Sequence, residues 1–311
     1  MVGVNDVFGH QDAKTFMGMP PCDDLTMVVA DAVLIGADCA TPYPSAGAYC
    51  AGGPAVIRRA IAPYASGLGH MNFDLDGATI PAGKIALDAG DLPQDPGDPE
   101  GNRARITQAI GQIIDAGAVP FLLGGDDSLP IPMIAAYGER ARPVTIVQVD
   151  AHIDWRQEVD GEPMGLSSTM RRASEMAHVE RIIQVGQRGI GSARPQDYHD
   201  ALDWGVSFVP AREIARDGVS RAIDLVPEGS DVIFCLDYDA LDPSLMPAVI
   251  GRTAGGMSYW QVISLLEGVA RRGRIVGVAM VEYMPSRDVD DLGALLAGQI
   301  LATSLGTVLR A

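Results

Sequence analysis

The sequence lacks an uncharged apolar run of about 20 residues, which is the length that a helix needs to cross a bilayer. Its hydrophobic residues, 47% of the total, occur in short blocks instead. Polar and charged residues are spread through Met1–Pro21, where no apolar core of a signal peptide is present. We therefore expect a soluble, cytoplasmic protein with no membrane partner.

Cysteine is scarce and shows no pairing pattern. The four cysteines form no Cys-x-x-Cys motif and no framework spacing: Cys22, Cys39, Cys50 and Cys235. Reduced thiols are therefore expected, rather than a zinc knuckle or a disulfide scaffold. Cys235 lies within an apolar run and is expected to be a small core residue.

Positive charge is also scarce, with 23 Lys and Arg against 40 Asp and Glu and a formal net charge of −17. Nucleic-acid phosphates require a basic surface, so this composition argues against a nucleic-acid partner. An acidic site would attract a cationic small molecule. Acidity is also a common means of keeping a protein soluble, so charge alone does not identify a substrate.

The sequence does contain an alternation of strand-like and helix-like segments. Apolar residues recur on one face of predicted helices at Asn102–Ala116 and Tyr259–Arg271, and the Pro- and Gly-rich segment Asp91–Asn102 is predicted to be a loop. The alternation predicts an α/β fold whose parallel sheet is covered on both faces. We expect one domain over residues 1–311, with an N-terminal extension at 1–30. Short apolar runs predict eight strands: Ala32–Ile35, Lys84–Leu87, Val119–Leu123, Thr145–Val149, Arg181–Val185, Val206–Val209, Val232–Leu236 and Ile275–Val281.

Acidic motifs directly follow two of these strands. Asp150, His152 and Asp154 follow one strand, while Asp237 and Asp239 follow another. Residues two apart on a strand point to the same side, and open parallel sheets bind ligands beyond the carboxyl ends of their strands. One Asp there would more often cap a turn or a helix. Clustered charge of this size is costly unless cations compensate it, so the motifs predict a site for two metal ions.

A third strand runs into Gly124–Ser128, where two glycines permit a tight turn. Alone, Gly-Gly-Asp would be an ordinary turn about as often as a site. When Asp-Ala-His-x-Asp and Asp-x-Asp-x-x-Asp-Pro follow it in that order, the combination is a specific sequence signal. The chain resembles the ureohydrolase family of arginases, agmatinases and guanidino-acid hydrolases, in an agmatinase-like branch. The resemblance covers nearly the whole chain through ordered motifs: Gly36–Asp38, Gly52–Arg58, Asp88–Asp91, Gly124–Ser128, Asp150–Asp154, Asp237–Pro243 and Glu282–Pro285.

The resemblance implies a three-layer α/β/α fold with an eight-stranded parallel sheet. It implies hydrolysis of a cationic guanidino substrate to urea or a urea derivative and an amine, by attack of a hydroxide that bridges two divalent ions. The substrate would be agmatine-like, a guanidino acid, a substituted guanidine or a biguanide. Manganese is the usual metal, nickel is an alternative, and homo-oligomers are implied, commonly trimers or hexamers. Seven residues would form the site: Asp150 and Asp237 as bridging ligands, Asp127 and Asp154 in one metal site, His152 and Asp239 in the other, and Glu282 facing the guanidinium.

Two of these residues would also act on the substrate. Asp154 would accept a proton from the attacking hydroxide and pass it to the leaving amine. Glu282 would hold the guanidinium through paired hydrogen bonds, and a salt bridge to Arg287 is the alternative for this side chain. Asp242, which precedes Pro243, is predicted to be a turn residue rather than a ligand.

Two positions depart from the family pattern. Asp127 stands where the family has a histidine ligand, so five carboxylates and one imidazole would give a ligand charge of −5 against +4 from two divalent ions. The loop after Asp154 lacks the histidine of many agmatinase-like members. Ser167, Ser168 or Met164 would shape the substrate pocket there, and an ordinary surface loop is the alternative. The histidines outside recognised motifs are expected at the surface or in the core: His10, His70, His178 and His199.

Two other functions are open. A chain that kept the fold but lost the chemistry would be the noncatalytic partner subunit of an active paralogue in a hetero-oligomer. The missing histidines motivate this alternative, but retained carboxylates argue against it because their repulsion would destabilise a decayed site. A mononuclear zinc deacylase would need a separate histidine pair, and the sequence has none. A binuclear metallohydrolase is therefore the leading hypothesis.

Overall fold

A computed structural model describes residues 14–138 and 142–311. His10 and residues 1–13 of the predicted N-terminal extension lie outside the described residues. Within that extension, Phe16 and Met19 are buried in a hydrophobic cluster that also contains Ala32 and Leu34. The backbone N–H of Phe16 also donates to Asp88 Oδ2 at 2.7 Å.

All eight predicted strands are present and form one parallel sheet in the order β2-β1-β3-β8-β7-β4-β5-β6. The second strand begins two residues later than predicted, at Ala86, and Ile85 before it is 45% exposed. The strands are β1 (Ala32–Gly36), β2 (Ala86–Asp91), β3 (Val119–Leu123), β4 (Val144–Val149), β5 (Val179–Val185), β6 (Ser207–Val209), β7 (Asp231–Asp237) and β8 (Arg274–Val281).

The central strands are apolar at successive positions because both faces of the sheet are covered. In β1, Leu34 packs into the hydrophobic cluster on one face, while Val33 and Ile35 pack into the cluster on the other. Alternate side chains of a strand point to opposite faces, so each cluster takes every second residue. The predicted three-layer α/β/α architecture is confirmed.

Helices cover the two faces. The described α-helices are α1 (Gly53–Ile61), α2 (Pro99–Asp115), α3 (Pro130–Ala135), α4 (Thr169–Ser174), α5 (Pro195–Trp204), α6 (Ala211–Asp217), α7 (Ser220–Leu225), α8 (Tyr259–Arg272) and α9 (Leu292–Val308). Apolar residues of α1, α6, α7, α8 and α9 pack on one face, and those of α2, α3, α4 and α5 pack on the other. None of the helices in the described ranges combines the length and apolar character that a transmembrane span requires.

The predicted start of α2 was wrong by three residues. The helix begins at Pro99, so Pro99–Asn102 is helical rather than part of a loop. Asp98 precedes it and accepts a hydrogen bond from the N–H of Gly101 at 2.9 Å, and a proline in the first turn needs no N–H partner. The Pro and Gly content concealed a capped helix start. By contrast, α8 begins where predicted, at a capping box of Ser258 and Gln261.

Candidate active site

The acidic motifs lie at the carboxyl ends of four neighbouring strands. The strands β3, β8, β7 and β4 are adjacent in that order. Asp127 follows β3, Glu282 follows β8, Asp237 ends β7 and Asp150 follows β4. Because the strands are parallel, their carboxyl ends share one edge of the sheet, where such folds bind ligands. The strand order thus brings four distant segments of the chain together.

Two glycines shape the turn that leads to Asp127. Gly124 and Gly125 have φ angles of 90° and 72°, in the left-handed region that favours glycine. A Cβ atom at Gly124 would lie 2.3 Å from Pro54 Cγ, and one at Gly125 would lie 2.2 Å from Leu129 Cδ1. Side chains at either position would therefore displace the turn.

The structure brings most of the predicted ligands into two groups that share one residue. Asp150, His152 and Asp239 offer ligand atoms that lie within 4.8 Å of one another, and so do Asp127, Asp150 and Asp154. Among the described residues, Asp237 belongs to neither group, although it is buried and lines the same cavity. Its Oδ1 accepts a hydrogen bond from the N–H of Asp239 at 2.6 Å. The two groups share Asp150, whereas Asp237, the other residue predicted to bridge the ions, lies outside both.

The imidazole of His152 lies between two carboxylates. Its Nδ1 is 2.9 Å from Asp239 Oδ2 and 3.4 Å from Asp150 Oδ1. Burial disfavours the charged ring, but the hydrogen bonds that the ring donates to Asp150 and Asp239 outweigh burial and raise the pKa of His152 to about 12. A metal ion would displace this proton, because a ligating histidine must be neutral.

Gln148 supports two of the candidate ligands and was missed by sequence reasoning. This buried side chain donates its Nε2 hydrogens to Asp150 Oδ2 at 2.8 Å and Asp154 Oδ2 at 2.6 Å. Gln184 in turn donates to Gln148 Oε1. A single Gln in an apolar strand does not indicate a functional role in the sequence. Once it is buried, however, its side chain needs a hydrogen-bond partner. Gln148, held by Gln184, therefore fixes the orientation of the Asp150 and Asp154 carboxylates.

Asp127 carries a buried oxygen that needs a partner. Asp127 is only 3% exposed, yet no described residue forms a hydrogen bond with its Oδ2. Burial, followed by the charges of Asp154 and Asp150, raises the pKa of Asp127 well above its usual value. Unpartnered buried oxygens are rare in folded proteins, and a cation next to this one would satisfy it.

Glu282 is held in a strained conformation by two hydrogen bonds. Its φ angle is 72°, unusual for a residue with a side chain, and Oε1 accepts from Tyr49 Oη at 2.6 Å and from the N–H of Asp127 at 2.9 Å. No described residue hydrogen-bonds Oε2. Arg287 donates to the carbonyls of Val249 and Ile250, and the alternative salt bridge to Glu282 is not formed. Tyr49 was also missed, because its loop has no periodic pattern.

A cavity of about 270 Å³ opens onto these groups. Ser167 is among its lining residues, whereas Ser168 is fully buried and is not among the described lining residues. Asp154 lines the cavity and, like Glu282, has a positive φ angle, of 44°. Asp242 accepts hydrogen bonds from Ser244 and from the N–H groups of Gly255 and Gly256, so it is a turn residue as predicted.

The clustered charges predict how the stability of the metal-free protein depends on pH. Burial raises the pKa of Glu282 to about 8, so between about pH 5 and 8 the folded protein holds a proton that the unfolded chain has lost. His152, with a pKa of about 12, acts in the same direction above about pH 6.5. We therefore expect the Tm measured in a chelator to fall as the pH rises through this window. A Tm that rises instead would contradict the raised pKa values.

A control separates this cluster from the net charge of the protein. Glu282→Gln should flatten the slope, whereas Asp242→Asn, at a partly exposed turn, should leave it unchanged. Saturating manganese should oppose the fall, because metal ligation requires deprotonated groups.

The chain is similar to several known proteins. A family model described as the arginase family matches residues 30–306. The chain is 28% identical over 274 residues to the N(1)-aminopropylagmatine ureohydrolase of Thermococcus kodakarensis, covering 86% of this chain and 89% of that protein. It is 36% identical over 171 residues to the protein of the same name from Thermus thermophilus, covering 55% of this chain and 57% of that protein. The structure is similar to that of proclavaminate amidino hydrolase from Streptomyces clavuligerus, with a TM-score of 0.85 at 27% identity, covering 97% of this chain and 100% of that chain.

Proposed function

The chain belongs to the arginase family, and on that premise we propose that it hydrolyses a guanidino compound to urea, or a urea derivative, and an amine. The observation that carries this proposal is the pair of ligand groups that share Asp150, in the same cavity as Glu282. The ureohydrolase and amidino hydrolase relatives support it, because both are named as hydrolases.

The donor set fits two divalent cations. Five carboxylates and one imidazole suit manganese and also accommodate nickel. Asp150 would be shared, Asp127 and Asp154 would complete one site, and His152 and Asp239 would complete the other. Asp237 remains the proposed second shared ligand. When bound, two such ions would lower the pKa of a water molecule between them and so supply hydroxide near neutral pH.

The side chains of this protein would perform the remaining steps. A guanidinium carbon is a poor electrophile because its positive charge is delocalised. Glu282 would accept hydrogen bonds from the guanidinium and hold its carbon in line with the attacking oxygen. Asp154 would take the proton that the oxygen loses as the carbon–oxygen bond forms. It would then deliver this proton to the departing nitrogen as the carbon–nitrogen bond breaks, which gives urea and an amine.

Metal content and urea release test the proposal together. Purified protein is incubated with manganese, or separately with nickel, freed of excess ion and analysed for bound metal. About two ions per chain and urea release from at least one guanidino compound are expected. About one ion would mean that Asp127 weakens a site. No bound ion and no urea would overturn the proposal in favour of the noncatalytic partner subunit.

Asp127 is the ligand whose replacement is most informative. We expect Asp127→His to keep or raise metal affinity, since imidazole also ligates manganese and removes the excess negative charge. Asp127→Ala should lower affinity by at least about 10-fold to 100-fold, by analogy with the loss of groups that support a ligand. Calorimetric titration with manganese measures both. If both variants match the unsubstituted protein in metal content and kinetics, Asp127 is not a ligand.

Assembly and location remain predictions. We propose a homo-oligomer, a trimer or a hexamer, with a hetero-oligomer containing a paralogue as the alternative. Sedimentation of the purified chain tests the first, because a paralogue is absent from that sample. The proposed cytoplasmic location is tested by fractionation.

A further inference from the structure

The charges of the cavity divide into two regions. One is the carboxylate cluster around Asp150, with Glu282 beside it. Away from the cluster, Arg156 is the only Lys or Arg among the described lining residues, and Asp197 is the only other carboxylate. The second region therefore determines which charge a substrate can carry at the end remote from its guanidinium.

The carboxylate of Asp197 is already neutralised. Asp197 is 7% exposed, and its two oxygens accept hydrogen bonds from Arg194 Nε at 2.6 Å and Nη2 at 2.9 Å. Such paired bonds between a guanidinium and a carboxylate are strong and occupy both oxygens. Asp197 is therefore a poor partner for a cationic substrate tail.

The guanidinium of Arg156 is free by comparison. Arg156 is partly buried, and no described residue forms a hydrogen bond or an ion pair with its side chain. Its backbone N–H donates to the carbonyl of Ser167 at 3.0 Å, which fixes these two lining residues next to each other. A carboxylate could accept from both the guanidinium and the Ser167 hydroxyl.

The cavity, of about 270 Å³, is small for a ligand site, where volumes of about 300–1,000 Å³ are usual. Both Glu282 and Arg156 line it, so one small substrate can contact both side chains.

We propose that Arg156, with Ser167, forms a carboxylate-binding subsite and that the substrate is a short guanidino acid rather than a guanidino amine. The guanidinium lies at Glu282 and the carboxylate lies at Arg156. This inference rests on the proposed hydrolysis of guanidino compounds and specifies its substrate class.

Three substrates of similar length test the subsite on the metal-loaded protein. They are 3-guanidinopropanoate, propylguanidine and (3-aminopropyl)guanidine, which carry a negative, neutral and positive tail. Urea release should show a kcat/KM for the acid at least about 10-fold above that for propylguanidine, and the amine should be the poorest of the three.

Substitutions then assign the preference to Arg156. Arg156→Ala should lower kcat/KM for the acid by about 10-fold to 100-fold, mainly through KM, because the lost contact is equal in ground and transition states. Propylguanidine should change by less than about twofold. Arg156→Lys should restore part of the preference, and Arg156→Glu should favour the amine. Arg212→Ala, which removes an exposed arginine of α6, is the matched control and should change none of these ratios.

The outcomes separate the inference from the function on which it rests. Urea release from propylguanidine with no preference for the acid, or an acid preference that survives in Arg156→Ala, overturns the subsite and leaves the hydrolase intact. No urea from any of the three substrates, together with no turnover of other guanidino compounds, overturns both.

Discussion

Asp150→Asn is expected to remove both metal ions and to abolish hydrolysis. Asp150 is the residue common to the two groups of candidate ligands, so its loss affects both. An amide offers one weak oxygen donor in place of two charged ones. Without bound ions, the pKa of the attacking water is no longer lowered and hydroxide becomes scarce near neutral pH, so turnover should fall by more than about 10³-fold. Elemental analysis and urea release after incubation with manganese measure both effects.

The same substitution should have the opposite effect on stability without metal. Burial, followed by the charge of Asp239, raises the pKa of Asp150, which means that its ionised form is disfavoured in the fold. Asp150→Asn removes that charge and should raise the Tm of the metal-free protein. Loss of function would then not be due to unfolding.

Two further variants serve as a parallel test and as a control. Asp237→Asn should also abolish metal loading and turnover if Asp237 is the second shared ligand. Asp242→Asn removes a carboxylate that holds a turn near the same motif, and it should keep both ions and most of the activity. An Asp150→Asn variant with two ions and full activity would refute the shared role of Asp150.

The fold was largely predictable from the sequence. Most strands of the sheet contain a short apolar run, and burial on both faces makes such runs visible without side-chain alternation. The predicted membership of the ureohydrolase family is also confirmed, because its motifs occur in order along most of the chain. The start of α2 was missed because Pro99 and Gly101 are typical of loops and of first turns of helices alike.

The supporting residues of the site could not be predicted from local sequence patterns. Tyr49 bonds to Glu282 across 233 positions, and neither lies in a periodic segment. Gln148 bonds to Asp150 and Asp154 nearby, but its role depends on burial under the carboxylates, which the sequence does not record. Ser167 and Ser168 are adjacent, yet only the first is among the described residues that line the cavity. The path of the loop backbone decides which of two adjacent side chains faces the cavity.

Gln148 also bears on the departure at Asp127. An aspartate in place of the family histidine adds a negative charge to a buried cluster whose members already disfavour ionisation. The two N–H groups of Gln148 bond to Asp150 and Asp154 rather than to Asp127, and they stabilise the ionised form of those two neighbouring carboxylates. These hydrogen bonds help the acidic side chains to remain ionised, which is the form that can bind two cations.

Glu282→Gln is expected to separate catalysis from metal binding. Glu282 is proposed to face the guanidinium rather than to ligate an ion, so the variant should still bind two ions. It should lose about 10²-fold to 10³-fold in kcat/KM, because a neutral amide pairs weakly with a guanidinium and no longer places its carbon. Urea release and elemental analysis of the same preparation make the comparison direct.

Tyr49→Phe is the matched variant for this prediction. It removes the hydrogen bond to Oε1 and keeps the carboxyl group of Glu282, so a loss of about 10-fold is expected from misplacement of that group. If Glu282 acts by charge and Tyr49 by position, Glu282→Gln should be the more damaging of the two, and the double variant should be little worse than Glu282→Gln. Equal rates for Glu282→Gln and the unsubstituted protein would exclude Glu282 from substrate binding. Loss of an ion in Glu282→Gln would instead make it a metal ligand.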